Sequence, residues 1–250
     1  MNAAMTTVSK DKRIVSLGRL RRSLRMHLFR ALDKTELNVK GVRIGCGKDD
    51  IPKFVRSLLF KGTYEEFECE LVEANVRPGD HVLEVGTGIG LVSLLATRLA
   101  GVGNVLSYEA NPTLEPVITG NYRRNGWQPN LRMKAVTVNG GPIAFYQNDN
   151  IVSSSSIDRQ LKQTEISVES DPINAVIAEH APSVLVMDVE GAEIDLLTQA
   201  DLSGVRAIIV ETHPHIVGDA STRALVDHLE ANGLEARELR HKTYLFLRRS

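Results

Sequence analysis

The chain has 250 residues, 42% of them hydrophobic and 24% charged, with a formal net charge of −1. That length suits one α/β domain with an N-terminal extension and would cramp two full domains. A near-neutral balance with 5% aromatic residues supplies neither a basic field for nucleic acid nor a stacking stripe, and two isolated cysteines, Cys46 and Cys69, fit neither a zinc cluster nor a disulfide framework.

In chain order, the first feature is basic. Between Lys10 and Arg30 eight Lys and Arg stand against the single acid Asp11, while Ile14, Leu17, Leu20, Leu24 and Leu28 recur at helical spacing. This predicts a basic amphipathic helix that docks its leucines on the main domain or on a second subunit of a homo-oligomer, ahead of a targeting peptide or a membrane-surface contact. No secretory h-region and no run of about 20 apolar residues is present, so the expectation is a cytoplasmic protein without a transmembrane segment. Residues 1–61 read as an extension and 62–250 as the catalytic domain.

Asn38 to Ile44 alternates around Gly41, as in a small hairpin. Pro52 opens a helix through Phe60, and Lys61-Gly62-Thr63 breaks it. Thr63 with Glu66 then reads as a capping box for a helix to about Val76. After the turn Arg77–Asp80 come short apolar runs at His81–Val85, Asn104–Glu109, Leu131–Val138, Val184–Val189 and Arg206–Glu211. Helical stretches at Leu91–Leu99, Thr113–Asn125, Ala192–Ala200 and Ser221–Asn232 accompany them. Strands apolar throughout and alternating with helices predict a parallel sheet covered on both faces. Glu235–Leu239 and Thr243–Leu247 are too close for a crossover and should pair antiparallel. The order fits a doubly wound α/β fold: a seven-stranded, Rossmann-like sheet of the class I methyltransferase type, closed by a C-terminal hairpin. Ser153–Ser156 reads as an insertion or an active-site loop.

Glu84-Val85-Gly86-Thr87-Gly88-Ile89-Gly90 links the first parallel strand to its helix. Glycines let the backbone turn sharply and approach a ligand, and the following helix aims its free N–H groups at it. The G-x-G-x-G spacing differs from the G-x-G-x-x-G of dinucleotide sites. Glu84 before the loop would repel a pyrophosphate and suit a cationic sulfonium. Glu109, ending the next strand, is placed to accept both ribose hydroxyl protons. These features favour S-adenosylmethionine, and a side chain at Gly86 is expected to obstruct its adenosyl group.

Tyr64-Glu65, Pro78-Gly79-Asp80, the Glu84 loop, Glu109-Ala110-Asn111-Pro112, Asn125-Gly126, Met187-Asp188-Val189-Glu190-Gly191-Ala192-Glu193 and Glu211-Thr212-His213-Pro214 together resemble the FkbM family of methyltransferases. The resemblance runs from about Gly62 to Arg248. The family usually has Asp at the position of Glu84 and Ala-Asn at Thr87-Gly88. The resemblance implies a cofactor site of Tyr64, Glu84, Gly86, Thr87, Gly88, Gly90, Glu109, Ala110, Asn111 and Asp188. It also implies O-methylation of a sugar, glycolipid or polyketide-type hydroxyl.

Ligands of open α/β sheets sit outside the carboxyl ends of the strands, so Asp188, Glu190, Glu211, His213 and His215 should converge there. A weakly acidic alcohol needs its proton removed by a carboxylate, a histidine or a metal. Asp188 is expected nearest the methyl group. Glu211 joins it as a catalytic candidate, and His213, with an ordinary pKa of about 6.5, is the expected base. A divalent ion on Asp188, Glu211 and His213 is a further option, since oxygen and imidazole donors suit Mg²⁺ or Mn²⁺. Glu193 reads as a helix-dipole partner and His215 as solvated. Against the leading reading stand N- or C-methylation, a protein or RNA methyltransferase, a nicotinamide oxidoreductase, and a non-catalytic scaffold.

Overall fold

The structure, a computed structural model, describes residues 4–148 and 163–249, with side chains placed for 18–146 and 165–249. The Ser153–Ser156 patch lies outside the described residues.

Apolar runs make the centre. β3 (Val82–Val85), β4 (Val105–Tyr108) and β10 (Val184–Met187) are buried at every position. Burial on both faces means that each Val or Leu there contributes roughly 1.5–3 kcal/mol. With β5 (Asn130–Arg132), β11 (Ala207–Glu211), β12 (Leu234–Arg240) and β13 (Thr243–Arg248) they form one seven-stranded sheet, in the order β12-β13-β11-β10-β3-β4-β5. All pairs are parallel except β11–β13 and β12–β13, so the terminal hairpin is antiparallel as expected. The strand order reverses between β3 and β10, and the crevice of such a sheet opens outside the carboxyl ends at that point.

One core face holds α4 (Leu91–Ala100) and α5 (Glu115–Arg124), together with the N-terminal α2 (Lys53–Lys61), α3 (Glu66–Asn75) and the hairpin of β1 (Glu36–Val39) and β2 (Val42–Gly45). Asn121, 1% exposed, staples that hairpin down. Its Oδ1 accepts from the Gly45 N–H and its amide donates to the Ile89 carbonyl, both at 2.8 Å. The other face holds α6 (Ile173–His180), α7 (Glu193–Gln199) and α9 (Asp219–Ala231), with the one-turn α8 (Pro214–Val217) beside α9. At the amino ends of the strands Arg206 pairs with Asp80 and donates to the Asn75 carbonyl, while Ser183 donates to Asp80.

Three expectations change, and two elements are new. Leu131–Val138 is not one strand: β5 joins the sheet, and β6 (Ala135–Thr137) leaves it to pair with β9 (Ser170–Pro172). The antiparallel pair β7 (Ile143–Asn148) and β8 (Gln163–Val168) follows β6, and neither β7 nor α6 was signalled by a clear period. The capping box does not form, because Glu65, at a left-handed φ of 47°, stands at the N-cap of α3 with no side-chain cap. Finally, α1 (Ala4–Ala31) does not dock its leucines on the domain. Leu20, Leu24 and Leu28 are 58%, 60% and 55% exposed, and Met26 and Phe29 pack on the core instead. The Phe29 ring meets Phe60 edge-on at 5.6 Å, and Arg22 pairs with Glu66. Among the described residues no helix is long and apolar enough to cross a membrane.

Candidate active site

The turn after β3 is set by how close its neighbours come. Gly86 has φ +89°, and a Cβ there would stand 1.8 Å from the Asp188 carbonyl oxygen. The approach of the Asp188 backbone therefore requires a glycine here even before any ligand is considered. Gly88 has φ +56°, and its missing Cβ would meet the Tyr64 hydroxyl at 3.0 Å and Glu65 Oε1 at 3.2 Å.

Glu84 is 2% exposed and does not line the crevice. It lies behind the loop, where Oε2 accepts from the Thr87 hydroxyl at 2.8 Å, and Thr87 also donates to the Tyr108 carbonyl. Burial pushes its carboxyl up to about 7 against the Thr87 hydrogen bond. In this structure Glu84 and Thr87 brace the loop rather than face a ligand. Tyr64, Gly90 and Asn111 are also outside the crevice wall. Asn111 accepts from the Thr113 N–H and hydroxyl, capping the 3₁₀ turn Pro112–Leu114.

Gly86, Gly88, Glu109, Ala110 and Asp188 do line it, in a cavity of about 500 Å³, within the range of roughly 300–1,000 Å³ typical of small-molecule sites. Glu109 is 7% exposed; its Oε2 accepts from the Gly88 N–H at 2.9 Å and its Oε1 from the Asn111 N–H at 2.8 Å. Burial raises its carboxyl to about 7 despite those bonds. The backbone N–H groups of Thr87 and Ala110 also bear on this carboxylate. Ala110, Leu114, Val136 and Leu196 add apolar wall. Glu65, which sequence reasoning passed over, lines the crevice beside Gly88 with a buried Oε2 that has no hydrogen-bond partner. Among the described residues the lining acids are Glu65, Glu109, Asp188, Glu190 and Asp195, against one base, Lys134. Burial raises the Glu65, Glu109 and Asp188 carboxyls, and a cationic ligand would favour their ionised forms, whereas a pyrophosphate would not; the residues present fit S-adenosylmethionine.

At one end of the crevice the β10 and β11 termini bring together Asp188, Glu190, Glu211 and His213. His213 is 1% exposed and Glu193 0%. Glu193 Oε1 accepts from the His213 backbone N–H at 2.9 Å and meets its Nδ1 at 3.2 Å, while Oε2 accepts from the Gly191 N–H at 2.7 Å. Glu193 thus fixes the imidazole, a larger part than the helix-dipole role expected of it. His213 Nε2 lies 3.5 Å from each of Asp188 Oδ1, Glu190 Oε2 and Glu211 Oε1. Glu211 also pairs with Lys242, which the sequence did not flag.

Burial alone would lower the His213 pKa. The carboxylates of Glu193, Glu211, Asp188 and Glu190 outweigh it and raise it to about 10. With no cation among them, those carboxylates favour the protonated ring. Burial and the Glu211 carboxylate instead push Asp188 well above the usual carboxylate range, against the pull of His213. Glu211 goes the other way: burial raises it, but His213 and Lys242 bring it down to about 2. His215 is exposed, with its ring 5.8 Å from that of His213.

Comparison with known proteins matches this geometry. Residues 84–243 fit the model described as "Methyltransferase FkbM domain". A segment of 56 residues is 45% identical to the ribosomal protein L11 methyltransferase of Pelotomaculum thermopropionicum, covering 22% of this chain and 18% of that protein. A segment of 55 residues is 38% identical to the Thermus thermophilus protein of the same name, covering 22% and 21%. The matches therefore span about a fifth of the length of those relatives. A methyltransferase structure from Pyrococcus furiosus is similar with a TM-score of 0.48 at 13% identity, over 91% of this chain and 98% of that one. With the family model spanning the glycine loop, the acidic strand ends and the start of the last strand, the chain belongs to the FkbM family of S-adenosylmethionine-dependent methyltransferases.

Proposed function

We propose that the protein methylates a hydroxyl group of a sugar, glycolipid or polyketide-type metabolite. The observation that carries this reading is the crevice itself, lined by five carboxylates around an apolar wall, with Asp188 between the glycine loop and the His213 cluster. S-adenosylmethionine, when bound, supplies an electrophilic methyl group: its S–CH₃ bond breaks as the O–CH₃ bond forms, leaving a neutral thioether. The protein's own residues bind and orient. Glu109 accepts the ribose hydroxyls, and Glu65, with its orphaned oxygen, meets the ammonium group. Asp188, in its ionised form, receives the acceptor's hydroxyl proton. A carboxylate-rich wall with Tyr146 on β7 suits a polyol, which offers several O–H donors and an apolar ring face. Labelled S-adenosylmethionine with a panel of glycans and polyketide alcohols tests this; methyl incorporation only into amines or carbon acids would replace it.

The cofactor site has its own test. Glu109→Ala should weaken S-adenosylmethionine binding by roughly 1–3 kcal/mol, the value of hydrogen bonds to a charged group. Because the ionised carboxylate accepts both hydroxyls, affinity is present above pH 7 and lost as pH falls through the Glu109 pKa of about 7. Calorimetry should find binding roughly tenfold weaker at pH 6 than at pH 8, the change in the ionised fraction. Glu109→Gln should flatten that dependence, and an unchanged slope in the variant would assign it to another group.

The N-terminal helix supports a second proposal, self-association. Leu20, Leu24 and Leu28 form an i, i+4 stripe on it, each more than half exposed. Such a stripe buries itself against a copy of itself. Replacing Leu20, Leu24 and Leu28 with Ser should leave the melting temperature nearly unchanged and lower the mass measured by sedimentation. An unchanged mass would remove self-association as the stripe's role.

A further inference from the structure

We propose that Asp188, Glu211 and His213 hold a divalent cation at the carboxyl ends of β10 and β11, beside the crevice. Asp188 ends one strand, and Glu211 and His213 leave its neighbour, so adjacent strand termini deliver three donors to one point. One ligand atom from each lies within 4.8 Å of the others. His213 Nε2 stands 3.5 Å from both Asp188 Oδ1 and Glu211 Oε1. Octahedral bonds of about 2.1 Å place donors about 3.0 Å apart when adjacent and about 4.2 Å apart when opposite, and 3.5 Å falls between those values.

The second observation is independent of the acidity. His213 is 1% exposed, and its Nε2 and the Asp188 Oδ1 are both buried without a hydrogen-bond partner. A buried polar atom left unpaired is destabilising, and these two stand 3.5 Å apart. Three carboxylate oxygens, from Asp188, Glu190 and Glu211, stand 3.5 Å from Nε2. Glu193 completes the arrangement. It accepts from Nδ1 and from the His213 backbone, so the ring is held by one nitrogen and presents the other. Metal-bound histidines are oriented by a carboxylate in this way.

The donor chemistry selects the ion. One imidazole with two or three carboxylates suits Mn²⁺, and Mg²⁺ less well because of the nitrogen. Lys242 beside Glu211 keeps that carboxylate ionised and in place. Asp188 is 36% exposed as a side chain although Oδ1 is buried, so its remaining surface faces the crevice. The inference deepens the hydroxyl-transfer reading, on which only its role rests: a cation there would meet the acceptor's oxygen and make its proton easier to remove. The binding site itself stands on the geometry.

The test is Mn²⁺ binding followed by electron paramagnetic resonance, on full-length protein stripped with EDTA. One Mn²⁺ should bind per chain, and Asp188→Asn and Glu211→Gln should each weaken it at least tenfold. Both substitutions keep side-chain shape, and a thermal melt confirms that the variants fold. No Mn²⁺ binding to the wild type, or equal binding to both variants, overturns the cation site. Methyl transfer to hydroxyls that persists in EDTA, with no Mn²⁺ bound, removes the cation and leaves the function. Mn²⁺ binding that both variants lose, with no hydroxyl acceptor methylated, keeps the cation and removes the function.

Discussion

Asp188→Asn should lower turnover by about 10²-fold or more while S-adenosylmethionine affinity changes little. The substitution keeps the shape of the side chain and removes its charge and basicity. Asp188 lines the crevice, follows directly on β10, and carries a pKa raised by burial and by Glu211. Its main-chain N–H donates to the Val85 carbonyl at 2.9 Å, a bond the variant retains, so the loop geometry that receives the cofactor survives. A fall in kcat without a matching rise in cofactor Kd would mark a residue that acts on the acceptor. Full activity in the variant, measured under saturating cofactor, would place proton removal elsewhere.

Gly86→Ala should cost at least about 3 kcal/mol of folding stability, combining backbone strain with overpacking against an immovable neighbour. The added methyl would sit 1.8 Å from the Asp188 carbonyl oxygen, and φ is +89°. Neither β3 nor β10 has room to yield, since each is hydrogen-bonded on both sides within the central sheet. The deciding measurement is denaturation without cofactor. A glycine kept only for ligand approach would leave that stability unchanged, whereas the strand contact predicts the loss in the absence of any ligand. Cofactor binding would then fall as a consequence of the displaced loop.

The sheet could be read in the sequence because its strands are buried on both faces. Val184–Met187 and Ala207–Val210 are apolar without alternation, and Val82–Val85 is interrupted by Glu84 alone, a signal that depends on no partner. The split after Arg132 was hidden because Arg132, Met133 and Lys134 read as a continuation. The structure instead spends them on polar contacts: Arg132 pairs with Glu179, and Lys134 with Asp171. Helix α6 was missed because Ile173 and Val176 are its only fully buried positions, too few to set a period. In the site, residues that follow strands could be placed from topology alone, as Glu109, Asp188 and His213 were. Which way a side chain turns could not. Glu84 and Glu109 both stand at strand ends, yet one lies behind the loop and the other opens onto the crevice. Glu65 escaped for a related reason, since its position depends on a left-handed backbone that sequence does not announce for a glutamate.

That backbone has a consequence for how the protein could be engineered. Glu65 and Glu190 hold φ values of 47° and 53°, in the region that glycine occupies freely, and both line the crevice. A left-handed non-glycine residue costs roughly 1–2 kcal/mol. A screen for thermostability would therefore be drawn to glycine at these two positions, and each gain would remove one acid from the wall. Heat tolerance and occupancy of the crevice pull in opposite directions here, so selecting for one should erode the other.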